Sequence, residues 1–225
     1  MNVVSTCELF LLHQKTLSRE LEHSMHHRYV IGVDEAGRGC LAGPVVAAAC
    51  WLPEGFEDPE IRDSKKVTTE KKRERLYDRL VNTPGVVWAT GVVEAPEIDQ
   101  INILQATFKA MVAAVNQVQG NLTAEDKDCC ACIDGNRAPA ELTMETHTVV
   151  KGDSKCLNIA AASIIAKVTR DRIMNLHDQT YPEWNFVKHK GYPSATHRAY
   201  LQSHPCTVLH RKSFKPVKEA LKRIH

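Results

Sequence analysis

The stretch "YVIGVDEAGRG", residues 29–39, decides the fold of this chain. It begins with an apolar, β-favouring run, which predicts a strand over residues 29–34. Two acids, Asp34 and Glu35, stand at the end of that strand, and a glycine–arginine–glycine turn follows almost at once. Adjacent residues of a regular strand face opposite ways, so the two acids can share one site only if the chain bends there.

The segments after this strand predict the rest of a sheet. The short link between the first two strands predicts an antiparallel hairpin, and strands separated by helices are candidates for parallel pairing. The order of elements predicts an α/β fold in which helices pack on a mixed five-stranded sheet. Predicted strands after the first cover residues 44–52, 85–94, 129–134 and 146–150, and predicted helices cover residues 68–80 (with a threonine cap), 101–118 and 158–177.

Length and composition are those of an ordinary globular protein. The chain has 225 residues, 43% of them hydrophobic and 25% charged, with a formal net charge of +2. This balance neither demands nor excludes nucleic acid as a partner. Residues 1–28 are predicted to form an N-terminal extension with one helix. Residues 29–225 form the predicted catalytic domain, which ends in a basic, helical C-terminal segment from about residue 189.

The eight cysteines are expected to be structural thiols. One C-x-x-C is present at residues 129–132, but a structural zinc site would need a second well-spaced pair. Free thiols indicate a reducing compartment, so we expect a cytoplasmic protein. No apolar run approaches the length of a membrane span. We therefore expect no association with a membrane. We also expect a monomer.

Four acids stand at the ends of predicted strands or just before a helix: Asp34, Glu35, Asp134 and Asp153. Strand ends at one edge of a sheet can converge, and we expect Asp34 and Asp134 to be exposed ligands there. Four carboxylates brought together repel one another unless cations lie among them, and hard oxygen ligands favour Mg²⁺ or Mn²⁺. Two such ions can flank a phosphate. The alternative is that Asp134 is an ordinary turn residue and Asp153 a helix cap.

The glycine turn supplies a second half for such a site. Gly37 and Gly39 let the backbone approach a ligand closely, and Arg38 adds a fork that can bind phosphate. Backbone groups can hydrogen-bond a 2′-hydroxyl, the group that distinguishes RNA from DNA. The alternative is a tight turn without a ligand.

Over most of its length the sequence resembles the ribonuclease HII family, the prokaryotic type 2 ribonucleases H. The matching motifs run in order from about residue 32 to residue 214. They are "GVDEAGRG", "AGPVVAAA", "DSKK", "INILQATFKAM", "IDGN", "KGDSK", "IAAASIIAKVTRD", "HKGYPS" and "HRKSF". The N-terminal extension is too short for the additional substrate-binding domain of ribonuclease HIII, which argues against that relative.

The resemblance implies an RNase H-like fold with a C-terminal helical extension. It also implies an endoribonuclease that hydrolyses the RNA strand of RNA/DNA hybrids and cuts on the 5′ side of ribonucleotides embedded in duplex DNA. The expected products are a 3′-hydroxyl and a 5′-phosphate, and the expected cofactor is Mg²⁺ or Mn²⁺ in a two-metal-ion site.

The resemblance also assigns roles to residues. By motif position, Asp34, Glu35, Asp134 and Asp153 match the catalytic, metal-binding acids of the family. Residues 37–39 match the turn that reads the junction between RNA and DNA. Tyr192 in "KGYP" matches the tyrosine that stacks on the sugar after the ribonucleotide. The chain departs from the common family pattern at Cys40 and Cys156, and neither is a predicted ligand.

Tyr192 and the basic residues of the chain each have a structural alternative to their predicted role in substrate binding. Tyr192 beside glycine and proline is also typical of an aromatic residue packed on a turn. Lys65 is a predicted substrate contact, and His197 and His210 are candidate proton-transfer groups. A solvated surface is the alternative to the predicted phosphate-binding rim, which comprises Lys65, Lys66, Lys188, Lys190, His197, Arg198, Arg211 and Lys212.

Two other functions are alternatives to the cleavage of RNA/DNA hybrids. A non-catalytic hybrid-binding protein would keep the fold, but binding alone would not favour four carboxylates beside phosphate. A DNA nuclease or integrase would keep the acids, but it would have no 2′-hydroxyl to read with the glycine turn and Tyr192.

Overall fold

The computed structural model describes residues 29–62, 69–122, 125 and 128–223 of the chain. The predicted helix within residues 1–28 and the predicted substrate contact Lys65 lie outside the described residues. Both therefore stay predictions, and so does the division of the chain into an extension and a catalytic domain.

Five strands form one mixed sheet in the order β3-β2-β1-β4-β5. The predicted antiparallel hairpin of β1 and β2 is confirmed. Strand β4 adds to β1 in parallel, and β5 adds to β4 in parallel. Strand β3 follows a helix and yet pairs antiparallel with β2, because β2 runs against all its neighbours. The strands are β1 (Tyr29–Ala36), β2 (Val45–Trp51), β3 (Val87–Val93), β4 (Cys129–Asp134) and β5 (Glu145–Val149).

Seven α-helices are found in the described residues. Thr69 accepts a hydrogen bond from the amide of Lys72 at 3.3 Å, so the predicted threonine cap is confirmed. Short 3₁₀ turns cover Gly152–Ser154 and Pro182–Trp184. The helices are α1 (Pro59–Arg62), α2 (Glu70–Asn82), α3 (Ala95–Leu122), α4 (Leu157–Thr180), α5 (Phe186–His189), α6 (Ala195–Ser203) and α7 (Lys215–Leu221).

Helix α3 consists of two segments that meet at Asn102, whose φ of 66° is not helical. The Asn102 side-chain oxygen accepts hydrogen bonds from the amides of Leu104 at 3.0 Å and Gln105 at 3.2 Å. It therefore caps the second segment, the position at which asparagine is favoured. The predicted helix over residues 101–118 corresponds to this second segment, and the first segment was not predicted.

Helices cover both faces of the sheet. Helix α3 packs on one face, and α4 with α2 packs on the other. Gly32 in β1 permits the contact with α4, because a Cβ atom there would lie 2.1 Å from the carbonyl carbon of Asn158. This close approach places the N-terminal half of α4 directly against the strand that carries Asp34.

The C-terminal segment builds a further apolar core around Trp184 and Phe186, which also includes Leu41 and Ala42 from the link between β1 and β2. The prediction of loops and short helices after residue 189 is confirmed. The predicted rim is wrong for three members: Lys190, His197 and Arg211 are 7%, 1% and 0% exposed, because protein atoms bind their polar groups. Lys188, Arg198 and Lys212 are exposed.

The seven cysteines in the described part of the chain are not joined in disulfides, and six of them are buried. The C-x-x-C pair, Cys129 and Cys132, lies in β4 as predicted. Among the helices of the described residues, none has the length and apolar character needed to cross a membrane.

Arg170 of α4 fixes the link between β1 and β2. It is fully buried, and its guanidinium donates hydrogen bonds to the carbonyls of Pro44 at 2.9 Å, Ala42 at 3.1 Å and Lys190 at 2.8 Å. The planar guanidinium group donates in several directions at once, which lysine cannot reproduce. One side chain therefore joins the link to the loop that precedes Tyr192.

We predict that Arg170→Met lowers the free energy of unfolding by about 3 kcal/mol or more, because three buried carbonyls lose their donor at about 1 kcal/mol each. The matched control is Arg172→Met on the same helix. Arg172 pairs with Glu74 at the surface, and such a pair contributes about 0–1 kcal/mol. Chemical denaturation measures both, and equal losses would contradict the role of Arg170.

Candidate active site

The two acids at the end of β1 face opposite sides of the sheet. The strand stays regular through Ala36, with Asp34 paired to Ala48 and Glu35 to Ala47 of β2. Asp34 hydrogen-bonds Ser163 of α4 on one face. Glu35 lines a cavity against α3 on the other face. The acids thus meet only around the end of the strand, where Asp134 interacts with both.

Asp34 is buried, with 8% of its surface exposed, so the expectation of an exposed ligand is wrong for this residue. Loss of solvation on burial raises the pKa of its carboxyl to about 7. The charges of Glu35 and Asp134 contribute to this rise in pKa, while hydrogen bonds from Ser163 and from the amide of Glu35, at 2.7 Å, oppose it. Asp34 is therefore held in a site where its negative charge is poorly compensated by the protein alone.

Glu35 is half-buried and forms an ion pair with Arg38 at 3.0 Å. Burial still raises the pKa of its carboxyl, and the charge of Asp134 adds to the effect against the opposing Arg38. The single positive charge of Arg38 does not neutralise the acidic site, which keeps an excess of negative charge.

Asp134 ends β4 and connects to the turn that carries Asp153. Its Oδ1 atom accepts a hydrogen bond from the amide of Gly152 at 2.6 Å. Asp153 follows Gly152 in the 3₁₀ turn that precedes α4 and is half-buried. The fold therefore brings Asp34, Glu35 and Asp134 within electrostatic reach of one another and puts Asp153 one residue beyond the hydrogen-bond partner of Asp134.

The chemistry of these groups fits hard divalent cations. In the part of the chain that the structure describes, no three acid, histidine or cysteine side chains already form a metal-binding cluster. The carboxylates instead bind Ser163, Arg38 and the Gly152 amide. A cation among them would offset the burial and repulsion that raise the pKa values of Asp34 and Glu35.

A cavity of about 240 Å³ opens beside Glu35 and Asp134. Its polar side includes Asn136 and Arg137, which follow β4, and its other wall belongs to the second segment of α3. These lining residues were not predicted, although the spacing of the α3 residues on one helix face was a usable signal. The α3 residues are Leu104, Thr107, Phe108 and Met111.

The glycine turn leaves β1 with two different glycines. Gly37 has a φ of +94°, and a Cβ atom there would lie 2.0 Å from the Nε atom of Arg170. Gly37 is thus required by the fold itself. A Cβ atom on Gly39 would meet no protein atom within 4 Å, so the surrounding protein does not exclude a side chain there. Between them, Arg38 is half-exposed.

Tyr192 lies against this turn. The amide of Leu41 donates to the carbonyl of Gly191 at 2.8 Å, and the side chains of Cys40 and Tyr192 are hydrogen-bonded. Tyr192 is 39% exposed, and burial of the remainder raises the pKa of its hydroxyl. The Nζ atom of Lys167 lies 5.1 Å from the centroid of the ring. Lys167 was not predicted, since its helical motif gave no sign of the contact.

His197 and His210 do not fit the candidate role of proton-transfer groups. Each is 1% exposed, and their Nε2 atoms lie 3.1 Å apart. Burial lowers the pKa of His197 to about 4 and that of His210 to about 3, so both are neutral at neutral pH. They lie among the aromatic side chains of Trp184 and Phe186.

Comparisons with known proteins agree with this arrangement. Residues 31–217 match the family model for Ribonuclease HII. Ribonuclease HII of Magnetococcus marinus is 50% identical over 190 residues, which are 84% of this chain and 86% of the relative. The crystal structure of ribonuclease H2 from Pyrococcus horikoshii is 27% identical with a TM-score of 0.66 and covers 87% of this chain and 98% of its own.

A second solved structure, Bst-RNase HIII in complex with Mn²⁺, has a TM-score of 0.68 at 20% identity and covers 91% of this chain and 73% of its own, which supports the fold alone. The predicted fold class is confirmed. From the match over most of its length, the chain belongs to the ribonuclease HII family and is a metal-dependent nuclease that hydrolyses RNA in RNA/DNA hybrids.

Proposed function

We propose that this nuclease also cuts duplex DNA at single embedded ribonucleotides. The cut falls on the 5′ side of the ribonucleotide and leaves a 3′-hydroxyl and a 5′-phosphate. The observation that carries the proposal is the contact of Cys40 and Leu41, which directly follow the Gly37–Gly39 turn, with the Tyr192 loop near the end of the strand that bears the acids. The turn, which would contact the ribose, and Tyr192, which would contact the next sugar, would then lie side by side.

Asp34, Glu35, Asp134 and Asp153 would hold two divalent cations, Mg²⁺ or Mn²⁺. Bound there, the cations would supply the activation of water and the charge neutralisation that phosphodiester hydrolysis requires. Ser163 and the amides of Glu35 and Gly152 orient the carboxylates of Asp34 and Asp134 through hydrogen bonds. Water attacks phosphorus, and the bond to the 3′ oxygen of the preceding nucleotide breaks.

The turn is proposed to select the ribonucleotide. Gly39 leaves open space beside its backbone, where a substrate sugar could approach without meeting a side chain. Its backbone groups can then hydrogen-bond the 2′-hydroxyl. Arg38 contributes a guanidinium that can exchange Glu35 for a substrate phosphate once cations compensate the acids.

Tyr192 is proposed to check the following sugar. A flat aromatic ring packs well on a deoxyribose, and an added 2′-hydroxyl would crowd it. The ring is partly exposed, and the cations of Lys167 and Arg170 lie 5.1 and 5.7 Å from its centroid. Of these two cations, the partly exposed Lys167 would attract a phosphate to the same place.

Three expectations complete the proposal. Lys65 contacts the nucleic acid backbone from outside the described residues. The enzyme acts as a monomer in the cytoplasm, and its partners are RNA/DNA hybrids and duplex DNA containing ribonucleotides. Residues 29–225 act as one catalytic domain that includes the C-terminal helical segment.

One assay tests the proposal directly. The protein and Mg²⁺ are incubated with duplex DNA that contains one ribonucleotide, and the products are mapped at both ends. We expect one cut 5′ to the ribonucleotide with the stated end groups. Cleavage of a long RNA/DNA hybrid without cleavage of this duplex would contradict the proposed incision at single ribonucleotides. The control is an all-DNA duplex of the same sequence.

Asp34→Asn should abolish cleavage and leave the fold intact. Because the pKa of Asp34 rises from 3.8 to about 7 on folding, its contribution to stability is present below about pH 4 and is lost as pH rises to about 7. In EDTA at pH 8, the variant should be as stable as wild type or more stable, by about 4 kcal/mol at most. Thermal unfolding at pH 4 and pH 8 measures this. Full activity of the variant in saturating Mg²⁺ would contradict the assigned site.

The two glycines of the turn should respond differently to alanine. Gly37→Ala should lower the free energy of unfolding by about 1–3 kcal/mol, because its Cβ atom overpacks against Arg170. Gly39→Ala should change stability by less than about 0.5 kcal/mol, as surface substitutions usually do, yet weaken cleavage at a single ribonucleotide. Denaturation and cleavage rates measure both effects, and a fully active Gly39→Ala would contradict contact between this turn and the sugar.

Tyr192→Ala should reduce cleavage at a single ribonucleotide more than cleavage of a long hybrid. We expect a loss of about 1–3 kcal/mol, or about 5- to 150-fold, the scale of one aromatic stacking contact with nucleic acid. Tyr192→Phe keeps the ring and is the matched control, which should stay close to wild type. Equal losses of Tyr192→Ala on both substrates would mean that the ring does not read the junction.

A further inference from the structure

Three imidazoles lie beside the loop that carries Tyr192; those of His197 and His210 are buried, and that of His189 is half-buried. His197 and His210 hydrogen-bond each other, and His189 stacks on His197 with ring centroids 4.3 Å apart. The hydrogen bonds of this cluster lead to the backbone of the Tyr192 loop and to Thr207.

The proton positions follow from the partners. The backbone amide of Thr207 donates to the Nδ1 atom of His210 at 3.0 Å, and an amide cannot accept. Neutral His210 therefore carries its proton on Nε2 and donates it to the Nε2 atom of His197. His197 must then carry its proton on Nδ1, and that group donates to the carbonyl of Tyr192 at 2.9 Å.

The same reasoning applies to His189. The amide of Gly191 donates to its Nδ1 atom at 3.1 Å, so the proton lies on Nε2 and is donated to the carbonyl of Trp184 at 2.8 Å. All three rings are satisfied as neutral tautomers. The backbone groups on both sides of Tyr192 are thus bonded to imidazoles that are themselves fixed.

The geometry points to His197 as a positioning residue for Tyr192. The relay from Thr207 through His210 and His197 fixes the carbonyl of Tyr192, and with it the direction in which the ring leaves the backbone. This inference rests on the proposed reading of the junction by Tyr192. His197 itself is 1% exposed and does not reach the substrate.

Removal of this donor leaves the Tyr192 carbonyl with the Ser194 amide, at 2.8 Å, as its remaining partner in the described residues. The loop would keep its attachment to the glycine turn through Gly191 and through Arg170 at Lys190. We therefore expect the ring to lose its exact orientation while the loop stays docked. The loss should appear in the choice of substrate rather than in the chemistry of the acids.

Two substitutions of His197 separate the two nitrogen atoms. Asn at this position carries an amide nitrogen near the place of Nδ1 and can still donate to the Tyr192 carbonyl. Gln extends to the place of Nε2, where it can partner His210 but not that carbonyl. Both remove the aromatic ring from the same core, so a loss of packing alone would affect them alike.

The measured quantity is the ratio of cleavage rates on a duplex with one ribonucleotide and on a long RNA/DNA hybrid, with kcat and KM for each. His197→Gln should lower this ratio by about 3- to 10-fold, which corresponds to one hydrogen bond. His197→Asn should keep the ratio close to wild type. His204→Gln is the matched control, because His204 bonds Ser203 and Tyr200 and does not touch the loop.

The Tyr192→Ala background makes the test specific. There His197→Gln should not change the ratio further, because the ring that it positions is absent. A further decrease, or equal losses on both substrates with Asn and Gln alike, would overturn the inference. If the His197 variants do not fold, His210→Asn supplies the test: it keeps an acceptor for the Thr207 amide, loses the donor to His197, and should lower the ratio in the same direction.

The two proposals fail in different ways. If Tyr192→Ala leaves the ratio unchanged, the proposed role of Tyr192 is wrong. If Tyr192→Ala lowers the ratio and the His197 and His210 variants do not, Tyr192 reads the junction without help from the histidines, and only the positioning inference is wrong.

Discussion

Two buried guanidinium groups hold together the parts of the molecule that are proposed to recognise substrate. Arg170 comes from α4 and Arg211 from the C-terminal segment, and both are 0% exposed. Buried cations are costly unless hydrogen bonds compensate them, and here backbone carbonyls accept from both groups, although the Nη2 atom of Arg211 has no partner in the described residues. Arg170 binds the carbonyls of Pro44, Ala42 and Lys190, and Arg211 binds those of Gly43 at 3.0 Å and Arg38 at 2.9 Å.

The segment that these arginines bind, residues 37–44, connects β1 to β2. Backbone partners bind its amides at Cys40, Leu41 and Gly43, whereas the carbonyls of this segment named above are bound by the two arginines. A loop of this kind would ordinarily be mobile, since its carbonyls would bind water. With the carbonyls bound to rigid side chains, the shape of the turn is set before substrate arrives. Such preorganisation reduces the entropy that binding must overcome.

The sequence predicted the elements well because their patterns are local. The apolar runs of the strands and the spacing of α2 and α4 depend on near neighbours, and those predictions hold within a few residues. The direction of β3 and the break at Asn102 depend on partners elsewhere in the chain or on one side chain. Neither feature is encoded in the spacing of apolar residues along the sequence, so neither was predicted.

The candidate site was predicted residue by residue, but its geometry was not. The acids came from their places at strand ends and from the family motifs. The opposite directions of Asp34 and Glu35 follow from the regular strand that continues through Ala36. The burial of Asp34 depends on the packing of α4 against β1, which no local pattern encodes. Arg211 and His197 resembled a solvated basic face in sequence, and only their long-range partners decide that they are buried.

Helix α4 sets the separation between the acids and the proposed sugar reader. Ser163, Lys167 and Arg170 follow at intervals of four and three residues and so share one face of the helix. Ser163 bonds Asp34, whereas Lys167 and Arg170 lie over the ring of Tyr192. At 1.5 Å per residue, these contacts are about 6–10 Å apart along the axis.

That separation is rigid because the helix is packed along its length. Its start lies directly on Gly32 of β1, and Asp171 binds the Nζ atom of Lys167 at 2.7 Å and keeps it in place. A single residue inserted between Ser163 and Lys167 would rotate the later contacts by about 100° and move them off this face. The proposed choice of bond would therefore depend on a helix that touches both Asp34 and Tyr192, and not on either site alone.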